Sequence, residues 1–147
     1  MRIFSNNPCI IVLTEKDVWL RVNGKEAINL KANHMALIAC ENNIVDISSI
    51  NNALVAHISR DIIKDYLRFL NKDLTAIPLW QRSSSPVLTA DCLTPDVFRV
   101  AAQHSIAHTD SPGEEERTRA LLFTVLSRFL DSKKFMPLLM YMLRSRV

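Results

Sequence analysis

The sequence predicts an α+β fold, an antiparallel β barrel or sandwich followed by a helical region. Three observations carry that expectation. Short apolar runs separated by turn residues fill the first sixty positions. After Ser59 the apolar spacing changes from two to three and four. The chain of 147 residues is 48% hydrophobic and 22% charged, a balance that fills one core and leaves no room for two ordinary domains.

Cys9 to Thr14 is a β-branched run, and Val18, Leu20 and Val22 alternate with Asp17, Trp19 and Arg21. Asn23-Gly24 then supplies the two positive-φ positions of a hairpin turn, with Ala27 to Leu30 as the return strand. Met35 to Cys40 is apolar without alternation, which predicts burial on both faces. Ile44 to Ser48 and Leu54 to Ile58 complete the strands, each preceded by an Asn-Asn turn.

Ser59 is placed to cap a helix whose stripe is Ile62, Ile63, Tyr66, Leu67 and Leu70, ended by Asn71-Lys72-Asp73. Residues 74–93, with Pro78 and Ser83-Ser84-Ser85-Pro86, read as a connector. Thr94-Pro95-Asp96 starts a second helix, reaching Ile106 and His108. Ser111-Pro112-Gly113-Glu114 is a capping box for a third, running to about Asp131. A last apolar helix spans Phe135 to about Arg144, with Pro137 tolerable in its first turn.

The third helix carries Leu121, Leu122, Val125, Leu126, Phe129 and Leu130, a stripe wider than one sheet contact requires. The expectation is that part of it meets a second copy of the chain; the alternative is that both last helices roof their own sheet. The sequence stops at Leu143-Arg144-Ser145-Arg146-Val147 with no Gly or Asn helix stop, which predicts that it continues in a longer protein.

Composition excludes several chemistries. Two glycines, Gly24 and Gly113, cannot build a phosphate-cradling loop. Cys9, Cys40 and Cys92 form no Cys-x-x-Cys pair and read as small core hydrophobes. No segment approaches the roughly 20 apolar residues of a membrane span. The N-terminus lacks an export signal, so a reducing cytoplasm is expected. Net charge is +3, with seven Lys/Arg and one acid from Arg117 onward, yet no aromatic interleaving marks that run as a DNA surface.

His104 and His108 stand one helical turn apart, but Ser105 occupies the place a zincin glutamate would take, and no third ligand is near. They are candidates for pH sensing, because histidine titrates near neutrality. His34, His57 and Glu41 are too thin a set for a metal in the strands. Asp61 and Asp65 read as solvated surface, and the serines have no nucleophile elbow. No catalytic residue, metal ligand or cofactor is assigned. Trp19 and Trp80 are aromatics that could line a pocket, with Trp19 the candidate if its face of the strand looks inward.

Longer stretches add a resemblance. Glu-Arg-Thr-Arg-Ala-Leu-Leu-Phe-Thr-Val-Leu-Ser-Arg-Phe-Leu-Asp (116–131), followed by Phe-Met-Pro-Leu-Leu (135–139), resembles the dimerisation helices of AraC/XylS transcriptional regulators of the enterobacterial acid-response branch. Leu-Thr-Glu-Lys-Asp-Val-Trp (13–19), Arg-Val-Asn-Gly-Lys-Glu (21–26) and Ile-Ile-Lys-Asp-Tyr-Leu-Arg-Phe-Leu-Asn-Lys-Asp (62–73) carry the same likeness. The resemblance implies that residues 1–147 are one regulatory and dimerisation domain with a small cupin-like barrel, the β part at about 1–58 and the helical part at about 59–147. It implies a homodimer, contact with DNA only through a helix-turn-helix domain after Val147, and activation of arginine-dependent acid resistance. No small-molecule effector is identified, and no membrane partner. The interface candidates are Leu121, Leu122, Val125, Leu126 and Phe129. The alternatives are a cupin-fold metal-dependent enzyme and a protein-docking module without a ligand.

Overall fold

The computed structural model describes residues 1–41, 43–51, 53–70, 86–106 and 112–144, with 104–106 and 144 described by backbone alone. Its strands are β1 (Arg2–Ile3), β2 (Cys9–Thr14), β3 (Val18–Val22), β4 (Ile28–Leu30), β5 (His34–Ala39), β6 (Val45–Ile47), β7 (Ala53–Ile58) and β8 (Val87–Asp91). Its helices are α1 (Arg60–Phe69), α2 (Pro95–Ile106), α3 (Pro112–Leu126), extended by a 3-10 turn at Ser127–Phe129, and α4 (Phe135–Arg144).

Two antiparallel sheets form, one in the order β1-β6-β3-β4 and the other β7-β2-β5-β8. β2 and β5 pair at the centre of the second, Ile11 opposite Leu37. Their residues divide by parity. Ile10, Val12, Ala36 and Ile38 meet Val18, Leu20, Val22, Leu30, Val45 and Ile47 of the first sheet. Cys9, Ile11, Leu13, Met35, Leu37 and Ala39 meet the helices instead. The β2–β5 sheet is thus a middle layer, apolar on both faces, which is why its central strands lack polar alternation. β3 has one wet face, and its alternation Val18, Leu20, Val22 inward against Trp19 and Arg21 outward shows it.

The hairpin turn forms at Asn23 (φ 55°) and Gly24 (φ 71°), closed by a bond from the Lys25 N–H to the Val22 carbonyl of 3.2 Å. A two-residue loop alone would set Leu20 against Ala27 and turn Asn29 toward the core. Instead Leu20 opposes Ile28 and Val18 opposes Leu30. The extra residue is taken up between Lys25 and Ala27, so the apolar pattern wins over the shortest turn.

One element differs from the sequence expectation. The β part does not end at about residue 58: β8 lies within the stretch read as connector and pairs along β5, Leu37 opposite Leu88. Its local sequence, Ser-Pro-Val-Leu-Thr-Ala-Asp, is too short and too close to proline and serine to announce a strand. The free edge of β5 selects it. β1, with two residues, had no signal either. The helix end at Asn71–Asp73, Pro78, Trp80, Ser83–Ser85, Ser111, His108 and the terminal 145–147 lie outside the described residues.

α1 begins as read, with the Ile62 N–H donating to the Ser59 hydroxyl at 3.2 Å. α1, α3 and α4 close over the middle sheet through Ile63, Tyr66, Leu67, Leu122, Leu126, Phe129, Phe135, Leu138 and Leu139. α2 packs against β7 and α3. The Tyr66 hydroxyl donates to Ser127 Oγ at 2.9 Å, and that hydroxyl donates to the Phe123 carbonyl at 2.8 Å, tying α1 to the end of α3.

Gly24→Ala meets no neighbouring atom within 4 Å, so its effect is purely conformational. At φ +71° an L side chain is strained, and the substitution is expected to cost about 1–2 kcal/mol in urea unfolding without changing the folded spectrum.

Candidate functional site

The sequence singled out α3, and the surroundings of that helix decide what it can do. Leu122, Val125, Leu126 and Phe129 are at most 3% exposed within the single chain. They lie on the middle sheet and the neighbouring helices. A side chain committed to its own core is not available to a partner, so these four are corrected from interface residues to core residues. The width of the stripe has a local cause, because α3 is touched on three sides. The sheet lies beneath it. α1 reaches one flank, where Asp65 meets Arg119 at 3.2 Å and the Phe69 and Phe123 rings lie 5.3 Å apart. α2 lies along the other.

On that α2 flank Leu121 stays half-buried and lines a groove of about 230 Å³ with Val100, Glu114, Arg117 and Thr118. Val100 is 40% exposed. Ala120 and Thr124 face solvent beside the groove, and the Thr124 hydroxyl is turned back onto the Ala120 carbonyl at 3.0 Å. The outward surface of α3 therefore exposes Glu115, Glu116 and Arg117 in its first half and the small Ala120 and Thr124 in its second, beside the half-buried Leu121.

The other candidates fall elsewhere. Trp19 is on the outer face of the first sheet, with the Arg21 guanidinium 5.2 Å from its ring centroid. Leu20 takes the inward position, which corrects the reading of Trp19 as a pocket residue. His104 belongs to α2, its side chain outside the description, and His108 lies outside the described residues. The structure brings neither into a described site.

Two histidine contacts were not legible in sequence, since the partners are distant in the chain. His34 Nδ1 is 3.1 Å from the Ala32 carbonyl, and its Nε2 is 2.9 Å from Asp91 Oδ1, joining the start of β5 to the end of β8. His57 Nδ1 lies 3.1 Å from Ser5 Oγ, which also accepts the Asn7 N–H. Burial on β7 pushes the His57 pKa down.

Burial also raises the thiols: Cys40 is pushed up to about 12, fully buried Cys9 is raised well above its ordinary value, and Cys92 moves the same way. All three stay protonated near neutrality and behave as small apolar groups. Among the described residues no three His, Cys, Asp or Glu side chains converge as a metal cluster. None of the described helices is long and apolar enough to cross a membrane.

The described residues thus form a two-sheet sandwich roofed on one side by helices. The family whose description is "Transcriptional regulator GadX, N-terminal domain" matches residues 4–142, and the chain belongs to it. That places it among the transcriptional regulators to which the AraC/XylS resemblance pointed.

Over all 147 residues it is 75% identical to the HTH-type transcriptional regulator AdiY of Escherichia coli strain K12. It is 49% identical over the same length to the porin thermoregulatory protein EnvY of that organism. In both cases the whole of this chain spans 58% of the relative's length. These relatives are named as regulators, not enzymes. The crystal structure of apo ToxT K231A from Vibrio cholerae strain SCE256 superposes with a TM-score of 0.52 at 14% identity, covering 93% of this chain and 51% of that one, and shows the shared fold.

The position of His57 makes stability depend on pH. Its folded pKa is below the ordinary value near 6.5, so on acidification the unfolded chain binds the proton first. Stability is therefore full above about pH 6.5 and is lost as pH falls toward the lowered folded value. His57→Gln keeps a neutral partner for Ser5 and is expected to shrink the drop in urea midpoint between pH 7.5 and 5.5.

Proposed function

We propose that this chain is the regulatory and dimerisation domain of an AraC-type transcriptional activator, with residues 1–147 acting as one unit. A helix-turn-helix domain following it makes the contacts with DNA. The observation that carries this reading is the family match over residues 4–142 together with the full-length likeness to a regulator of which the chain spans only part. Arginine-dependent acid resistance is the response implied by the sequence resemblance, and it is the setting proposed here.

The domain pairs with a second copy through the outward surface of α3. Leu121 and Val100 supply the apolar contact, and Ala120 and Thr124 let another helix approach closely. An isologous interface must complement itself. Pairing fixes the separation of two attached DNA-binding domains, and the second half-site is then bound at high effective concentration. Protonation of His104 and His108 is proposed as the acid-sensitive element.

Sedimentation of Leu121→Arg separates the interface from the core. The variant is expected to stay folded and become monomeric, whereas Leu122→Arg places a charge in the core and unfolds the protomer. In the full-length protein Leu121→Arg should weaken binding to a two-half-site probe at least about ten-fold and leave single-half-site binding unchanged. A dimer that survives Leu121→Arg shows that this surface is not the interface.

For the acid response, replacing His104 and His108 together by Gln should flatten the pH dependence of promoter activation. Activation that follows pH as before removes the two histidines from the mechanism.

A further inference from the structure

His34 opens β5 and Asp91 closes β8, and the two face each other as the terminal pair of that ladder. The imidazole lies between two oxygens. Its Nδ1 is 3.1 Å from the Ala32 carbonyl, and its Nε2 is 2.9 Å from Asp91 Oδ1. A carbonyl and a carboxylate only accept, whereas a neutral imidazole carries a single N–H. Both contacts are therefore hydrogen bonds only when the ring is an imidazolium with a hydrogen on each nitrogen. Removing one proton leaves a nitrogen lone pair against an oxygen.

The backbone fixes both strand ends. Asn33 has φ 63°, its N–H donates to the Thr14 carbonyl at 2.8 Å, and the His34 N–H donates to the Lys31 carbonyl at 3.1 Å. On the other strand, the Cys92 N–H donates to the Asn33 carbonyl at 3.0 Å. Arg128 Nε, in the 3-10 turn that extends α3, donates to the Asp91 carbonyl at 3.3 Å, while Asp91 Oδ1 faces His34. The other charged and titratable groups on the surrounding elements are Asp17, which accepts the Ala32 N–H at 2.9 Å, Lys31, the protonated Cys92 thiol, and the Glu15–Arg99 pair at 3.0 Å between the end of β2 and α2. Among the described residues, Asp91 supplies the one carboxylate at the ring.

We propose that His34 and Asp91 form an acid-closed clasp: protonation of His34 pins the end of β8 to the start of β5, just before the chain passes into α2 and where Arg128 ties the end of α3 to the sheet. The contribution is present in acid and is lost as the solution becomes basic. The side chains of His34 and Asp91 are 38% and 66% exposed, so the clasp is weak and screened by salt. It lies apart from the proposed pairing surface and does not depend on the regulatory reading.

Amide hydrogen exchange on the 147-residue chain tests this, with rates written as protection factors so that the intrinsic pH dependence of exchange cancels. The Cys92 amide reports the clasp, and the amides of β2 report global opening, including the part that His57 makes pH-dependent. At low salt, protection of Cys92 relative to β2 should rise about three-fold between pH 7.5 and 5.5. About 1 M NaCl should remove most of that rise. His34→Gln keeps one N–H donor, and Asp91→Asn keeps an acceptor without the charge; each should leave the ratio flat with pH. A flat ratio in the wild-type chain overturns the proposal. So does a rise that survives either substitution or is indifferent to salt. If one variant does not fold, the other decides by the same criterion.

Discussion

Burial of the β2–β5 sheet on both of its faces is the constraint on which the rest of the structure depends. A strand pair that is apolar at every position but Thr14 and His34 at its ends cannot leave either side to water, so it demands a second sheet on one side and a helical cover on the other. Both demands are met by later segments. β3, β4 and β6 supply the alternating faces of the outer sheet, while α1, α3 and α4 supply large apolar side chains for the opposite side. The order of the chain follows from this: sandwich first, then cover, with β8 inserted to complete the middle sheet.

The same constraint explains which parts of the fold were legible in sequence. Unbroken runs at Cys9–Thr14 and Met35–Cys40 reveal two-sided burial directly, and alternation at Val18–Val22 reveals one-sided burial. Ser59 and Thr94-Pro95 announce helix starts because caps are local chemistry. β8 was hidden because its strand character comes from the open edge of β5, not from its own residues. The outward surface of α3 was half legible. The count of apolar residues is right, but a count does not show that α1, α2 and the middle sheet each claim a side. Trp19 illustrates the point in reverse: alternation says that it opposes Leu20, and only the packed sheets say which of the two is inside.

Long-range polar contacts were not legible at all. Ser5 with His57, His34 with Asp91, and Arg60 with the Met142 carbonyl join residues whose local sequence carries no sign of the partner. Each of them sits at a rim of the sandwich, where strand ends leave polar backbone or side-chain groups that the apolar core cannot satisfy. Polar residues at these rims therefore tie the layers together, while the apolar residues decide which layers exist.

The brevity of the outer strands has its own consequence. The first sheet is bordered by β1, of two residues, and β4, of three, too short to template a neighbouring strand. The longer border of β7 lies under α2, and at β8 the Arg128 guanidinium already occupies the Asp91 carbonyl at 3.3 Å. So much β-branched sequence would ordinarily invite cross-β stacking in a crowded cell. Guarded in this way, the molecule offers fibrils little purchase.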